Sequence, residues 1–267
     1  MTYSNTIRVI IGAALATAAA ACGSDGPTGP GNQQLDLPAV LAQMSTNSFT
    51  DASGTALGIS TPSTAKATVV PSACTYSAAT QGFNCPTRTV DGLSFSASYY
   101  LFDANGVAQT APSSTTTASV RLVTALAGTV TQSVSGASSS ITMQQRNDFT
   151  MSGLLTSQHV LTGTSVNHDS TVVQGASLSR IVDDLTSTAQ NVVLPARGST
   201  NRWPMSGAVV SDLTGQVTLG ALGPLPATLH AVLTFNGTNL VPLTVTGTLI
   251  NSCTIDLSGK NAPACSQ

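Results

Sequence analysis

The chain has 267 residues, 41% of them hydrophobic and only 7% charged, with a formal net charge of −2. All eleven acids are Asp, while Thr (39) and Ser (33) together exceed a quarter of the chain. High hydrophobicity with little charge excludes a disordered protein, the scarcity of Glu, Lys and Arg argues against a helical one, and the weak negative balance offers no footprint for nucleic acid. A Thr/Val/Ser-rich chain with 23 Gly and 13 Pro reads as all-β.

Arg8 is the only charge among the first 24 residues, and residues 9–21 form an apolar run 13 residues long. That is too short to cross about 30 Å of hydrocarbon, but it has the length of a signal-peptide core. The run ends in Ala19-Ala20-Ala21-Cys22, which resembles a bacterial lipobox; it departs at Ala19, where that family has Leu, and Ala19-x-Ala21 also fits an ordinary signal-peptidase site. The resemblance covers residues 1–22. It implies removal of residues 1–21, a lipid on Cys22, and a membrane as partner through that lipid. Gly23, where Asp would signal retention, resembles the sorting pattern for outer-membrane delivery. Residues 23–34 alternate Gly and Pro and hold no large apolar side chain, so 22–35 reads as a tether carrying one β domain, 36–267. The Ser/Thr-rich β pattern of that domain is similar to that of other exported bacterial lipoproteins.

The cysteines are Cys22, Cys74, Cys85, Cys253 and Cys265. With Cys22 given to lipid, four remain, which permit three connectivities. Pairing Cys74 with Cys85 and Cys253 with Cys265 closes the shortest loops, each bridge contributing roughly 3 kcal/mol in the chain-entropy model.

Residues 36–44 form the one expected helix: Asp36 caps, Pro38 fits the first turn, and Leu37, Val40, Leu41 and Met44 make one apolar stripe. So short a helix needs a tertiary partner. Period-two alternation dominates thereafter. Leu93, Phe95, Ala97, Tyr99 and Leu101 point one way and Ser94, Ser96 and Ser98 the other, ending at the turn Asp103-Ala104-Asn105-Gly106. Further strand-like runs are 66–72, 119–134, 141–151, 158–167, 206–213, 216–222, 228–235 and 240–250. Residues 176–193 fit a helix at Leu178, Ile181, Val182 and Leu185 but a strand beyond them, and are read as a strand. Around Asn236-Gly237 the apolar sets share a face if 234 pairs with 238, which predicts a three-residue loop with Gly237 left-handed. The expected architecture is an antiparallel meander of about ten strands, forming a curved sheet or open barrel packed on the helix; the alternative is a β-sandwich.

Chemistry is sparse. Without Glu there is no H-E-x-x-H zinc site and no EF-hand. The segment 163–167 fails as a hydrolase elbow at Asn167. His168-Asp169-Ser170 offers a serine hydrolase centred on His168 with Asp183 or Asp184, or a weak metal site with His159. Asp183-Asp184 is also a candidate Ca²⁺ pair. His230 reads as a partly exposed sheet residue. Arg202, Trp203, Tyr99 and Leu41 are the candidate ligand contacts, Arg202-Trp203 through a cation–π arrangement. The expected function is therefore a lipid-anchored envelope protein without catalytic activity or cofactor, binding an apolar or lipidic ligand. Two alternatives stand beside it: a structural or adhesive surface domain with a filled core, and the His168-centred enzyme.

Overall fold

The computed structural model describes residues 70–134, 137–174, 178–196, 199–219, 222–247, 251–258 and 264–266. The signal-like leader, Cys22, the tether, the helix 36–44 and most of the 66–72 run lie outside them. The described residues form thirteen strands: β1 (Thr75–Ser77), β2 (Gly82–Asn84), β3 (Arg88–Val90), β4 (Leu93–Phe102), β5 (Ser119–Val134), β6 (Ala137–Ser152), β7 (His159–Gln174), β8 (Leu178–Leu194), β9 (Ser206–Leu219), β10 (Leu222–Thr234), β11 (Leu240–Gly247), β12 (Asn251–Asp256) and β13 (Ala264–Ser266). No helix occurs among them.

All the strands belong to one antiparallel sheet, ordered β1-β2-β4-β5-β6-β7-β8-β9-β10-β11-β12-β13. The ladder is not closed. The strands β2 and β3 pair with the same edge of β4, at residues 98–99 and 93–95, with Pro86 in the gap between them. Proline cannot donate to a ladder, so an edge is where it is tolerated. Because every strand belongs to one sheet, the two-sheet sandwich is not the architecture of the described residues.

A single rung crosses the whole sheet. Tyr76, Phe83, Tyr99, Leu122, Phe149, Gly163, Ala189, Val209, Leu233, Leu243, Cys253 and Cys265 are directly opposed in turn, one on every strand except β3. Side chains alternate across a sheet, so this rung defines a core face. The neighbouring rung runs Leu101, Val120, Met151, Leu161, Val192, and these five are 0–1% exposed. The opposite face is Ser- and Thr-rich, which is the one-sided pattern of an antiparallel sheet with one wet face.

A register shift between Leu222 and Leu225 interrupts the β9–β10 ladder, and two bulges bend the sheet further in, between Leu161 and Gly163 and between Gln190 and Val193. Glycine is required beside each bulge. A Cβ on Gly163 would lie 2.2 Å from the Asp148 carbonyl oxygen, and one on Gly207 would lie 2.4 Å from that of Asn191, which itself has φ 48°.

Several sequence expectations hold, and others need correction. The strand at 119–134 has the expected bounds, and 176–193 is strand, because β8 pairs with β7 and β9 along its length. The separate runs 206–213 and 216–222 are mostly one strand. Gly215 is no turn: it sits mid-strand where a Cβ would come 2.7 Å from the Val182 carbonyl oxygen. Gly237 is left-handed (φ 80°), but Leu233 pairs with Leu243, so the loop has five residues, 235–239. Tertiary contacts fix it. Phe235 turns into the core, and the Gly237 N–H donates to the Pro204 carbonyl at 2.9 Å.

Candidate functional site

The sequence-nominated residues fall in separate places. Cys74 and Cys85 form a disulfide at the β1–β2 edge. Cys253 is disulfide-bonded and buried, and it lies opposite Cys265 in the ladder. Tyr99 packs against the core while Tyr100 faces outward, its ring centroid 5.5 Å from the Arg121 guanidinium carbon. Trp203 is half-buried, Arg202 is exposed, and both lie in the loop between β8 and β9. That loop is held by Asn201, whose Oδ1 accepts from the Trp203 N–H at 2.9 Å and whose Nδ2 donates to the Gly237 carbonyl at 3.0 Å. Four strands separate Tyr99 from Trp203 along the ladder. Leu41 and Cys22 lie outside the described residues.

His168 and Asp184 are directly opposed on the wet face of β7–β8, with Nδ1 2.6 Å from Oδ1. Both side chains are more than half exposed. The hydrogen bond and charge of Asp184 raise the imidazole above its ordinary range. Asp184 is the only hydrogen-bond partner of His168 among the described residues. Asp183 points to the other face, so it cannot serve the same histidine as an orienting acid. His159 stands opposite Leu194 at the far end of β7, nine residues or about 30 Å away. Among the described residues no group of three or more His, Cys, Asp or Glu could hold a metal ion. A second pair of the same kind, His230 Nδ1 to Asp212 Oδ1 at 2.7 Å, lies on the wet face of β9–β10.

The unusual region is on the core face. One rung beyond the apolar ones runs Thr124, Asn147, Ser165, Ser187, Ser211 across five strands. Thr124 and the three serines are only 3–6% exposed. Asn147 Nδ2 donates to Thr124 Oγ1 at 3.1 Å, and the Ser187 and Ser211 hydroxyls are 2.9 Å apart. The next rung pairs Gln145 with Asn167, and the one after pairs Asp169 with Asp183. Polar side chains thus form a wedge centred on β6–β8. Buried polar groups persist where they are hydrogen-bonded, and the wedge meets that condition until its last rung.

There Asp183 Oδ2 is fully enclosed with no hydrogen-bond partner among the described residues. Burial pushes the Asp169 carboxyl up to about 6, opposed by the positive charge of His168. It pushes Asp183 up to about 7, and the neighbouring Asp169 and Asp184 charges add to the shift. Two coupled carboxyls titrate as a pair, so the two protons leave together across the range from about 6 to about 7.

No family model, curated protein or solved structure matches the chain.

Asp169 and the serine rung were not nominated from the sequence. Their signal is on β7, where Ser165, Asn167 and Asp169 continue the core-facing positions set by Leu161. Both faces of β7 are polar there, so alternation alone does not reveal which side is inward.

Proposed function

We propose that the chain is an exported, lipid-anchored domain of the cell envelope, without catalytic activity, serving as a structural or adhesive module with a filled core. The observation that carries the structural role is the rung Leu101, Val120, Met151, Leu161 and Val192, at 0–1% exposure. Side chains enclosed to this degree support a core packed by the chain itself rather than held open for a lipidic ligand. The Cys74–Cys85 disulfide supports an oxidising compartment. The lipobox-like residues before Cys22 support the anchor, and Gly23 supports delivery to the outer membrane.

In this reading the sheet curls over its core face as an open barrel. The helix 36–44 lays Leu37, Val40, Leu41 and Met44 on that face. Leu41→Ala then costs about 2–5 kcal/mol of stability. The discriminating experiment is fractionation of cells carrying wild-type protein or Cys22→Ala, followed by native mass spectrometry of the extracted domain. Wild type in the membrane, the variant in the soluble fraction, and a domain mass with no added ligand are expected. A retained apolar ligand would instead favour a carrier, and a membrane-bound variant would remove the anchor.

A further inference from the structure

The block formed by residues 168–169 of β7 and 183–184 of β8 holds four titratable side chains on two adjacent rungs. His168 and Asp184 oppose one another on the wet face, while Asp169 and Asp183 oppose one another on the core face. We propose that this block is a proton-operated clasp: protonation of the opposed Asp169–Asp183 pair keeps β7 and β8 paired, and loss of that protonation loosens the strand ends beyond it, residues 170–174 and 178–182.

Like charges directly opposed across a ladder destabilise it. Here the opposition lies on the core face, where one oxygen of Asp183 is enclosed with no hydrogen-bond partner among the described residues. The neighbouring strands bring no charge to that face: β6 presents Met143 and Gln145, and β9 presents Leu213 and Gly215. On the wet face β6 presents Gln144 and Arg146, and β9 presents Thr214 and Asp212, the latter paired with His230. Arg180, nearer the hairpin tip, lies opposite Val172 and Thr218 on the wet face. His168 is the cation whose charge favours ionisation of both inner acids and compensates it. It too loses its charge as pH rises, so the alkaline side removes the carboxyl protons and the compensating charge together. The shifts place the change near neutrality, with Asp169 at about 6 and Asp183 at about 7.

Two measurements on the full wild-type chain test it. The first is carbon-detected NMR of ¹³C-labelled aspartate. Two carboxyls should titrate together between about pH 5 and about pH 8; if every aspartate titrates below about pH 5, the clasp does not exist. The second is hydrogen exchange at pH 5 and pH 8, corrected for intrinsic rates. Amides of 170–174 and 178–182 should lose at least about tenfold protection at pH 8 relative to β9–β10, and Asp183→Asn or Asp169→Asn should abolish that difference. Equal protection at both pH values, or a pH dependence unchanged in the Asn variants, overturns the proposal.

Discussion

Arg121 and Asp148 meet through two parallel hydrogen bonds on the wet face of β5–β6, with Nε donating to Oδ1 at 2.7 Å and Nη2 to Oδ2. Tyr100 of β4 lies beside the same guanidinium. Three strands are thereby joined by one side chain. The hydrogen bond from Arg121 holds the Asp148 carboxyl below its ordinary range. A depressed acid stabilises the fold above its unfolded pKa and loses that contribution as pH falls through the folded value. Arg121→Lys removes the planar fork. Because Arg121 is 43% exposed, the cost should be modest, about 0.5–1 kcal/mol at pH 7, and should shrink in acid, as pH falls below the ordinary carboxylate value of 3.8 and through the depressed one. Denaturant melts at pH 7 and across that acid range check this.

The inner acids have the opposite sign. Their folded pKa values stand above the unfolded value of 3.8, so their contribution is complete below about pH 4 and is lost as pH rises through about 7. His168, also raised, adds a loss above its ordinary 6.5. Stability should therefore peak in mildly acidic solution. Asp183→Asn, which cannot ionise, should raise the melting temperature at pH 8 by about 5–10 °C and leave it nearly unchanged near pH 4. A variant less stable than wild type at pH 8 would contradict this.

The Ser187–Ser211 hydroxyl pair is buried between β8 and β9. Ser187→Ala leaves Ser211 without this partner and should cost about 1–3 kcal/mol. The double variant Ser187→Ala, Ser211→Ala removes both polar groups and should recover most of that loss. A double-mutant cycle showing simple additivity would mean that the two hydroxyls do not depend on one another.

Peptide mapping without reduction should find Cys74 joined to Cys85 and Cys253 joined to Cys265. Loss of either bridge should weaken the domain by roughly 3 kcal/mol without abolishing its far-UV β spectrum. A peptide joining the β1–β2 edge to the β12–β13 edge would overturn the pairing.

Much of the fold was legible where the two faces of a strand differ. Leu93 to Leu101 alternates with serine, and Tyr99 and Tyr100 fall on opposite faces as that alternation requires. The pattern was less informative in three places. Gly215 resembles a turn residue in isolation, but it is there because the β8 backbone passes close by. The loop 235–239 takes its length from a hydrogen bond to Pro204, more than thirty residues away in sequence. The short strands β1, β2, β3 and β13 have three residues each, too few for a periodic signal. The candidate site was less legible still. His168 was visible as a candidate, and its pairing with Asp184 follows from register, which a single strand does not encode. Asp169 was hidden because β7 is polar on both faces at that level.

The central claim is a lipid anchor on Cys22 that ties this β domain to the envelope. Intact-mass spectrometry of the protein purified from membranes tests it most directly. The account predicts a mature chain beginning at Cys22, heavier than residues 22–267 by a diacylglyceryl group and, where the host adds it, a further acyl chain; two or more chains suffice for stable membrane attachment. A mature protein with an unmodified cysteine, or one beginning at any other residue, would contradict it.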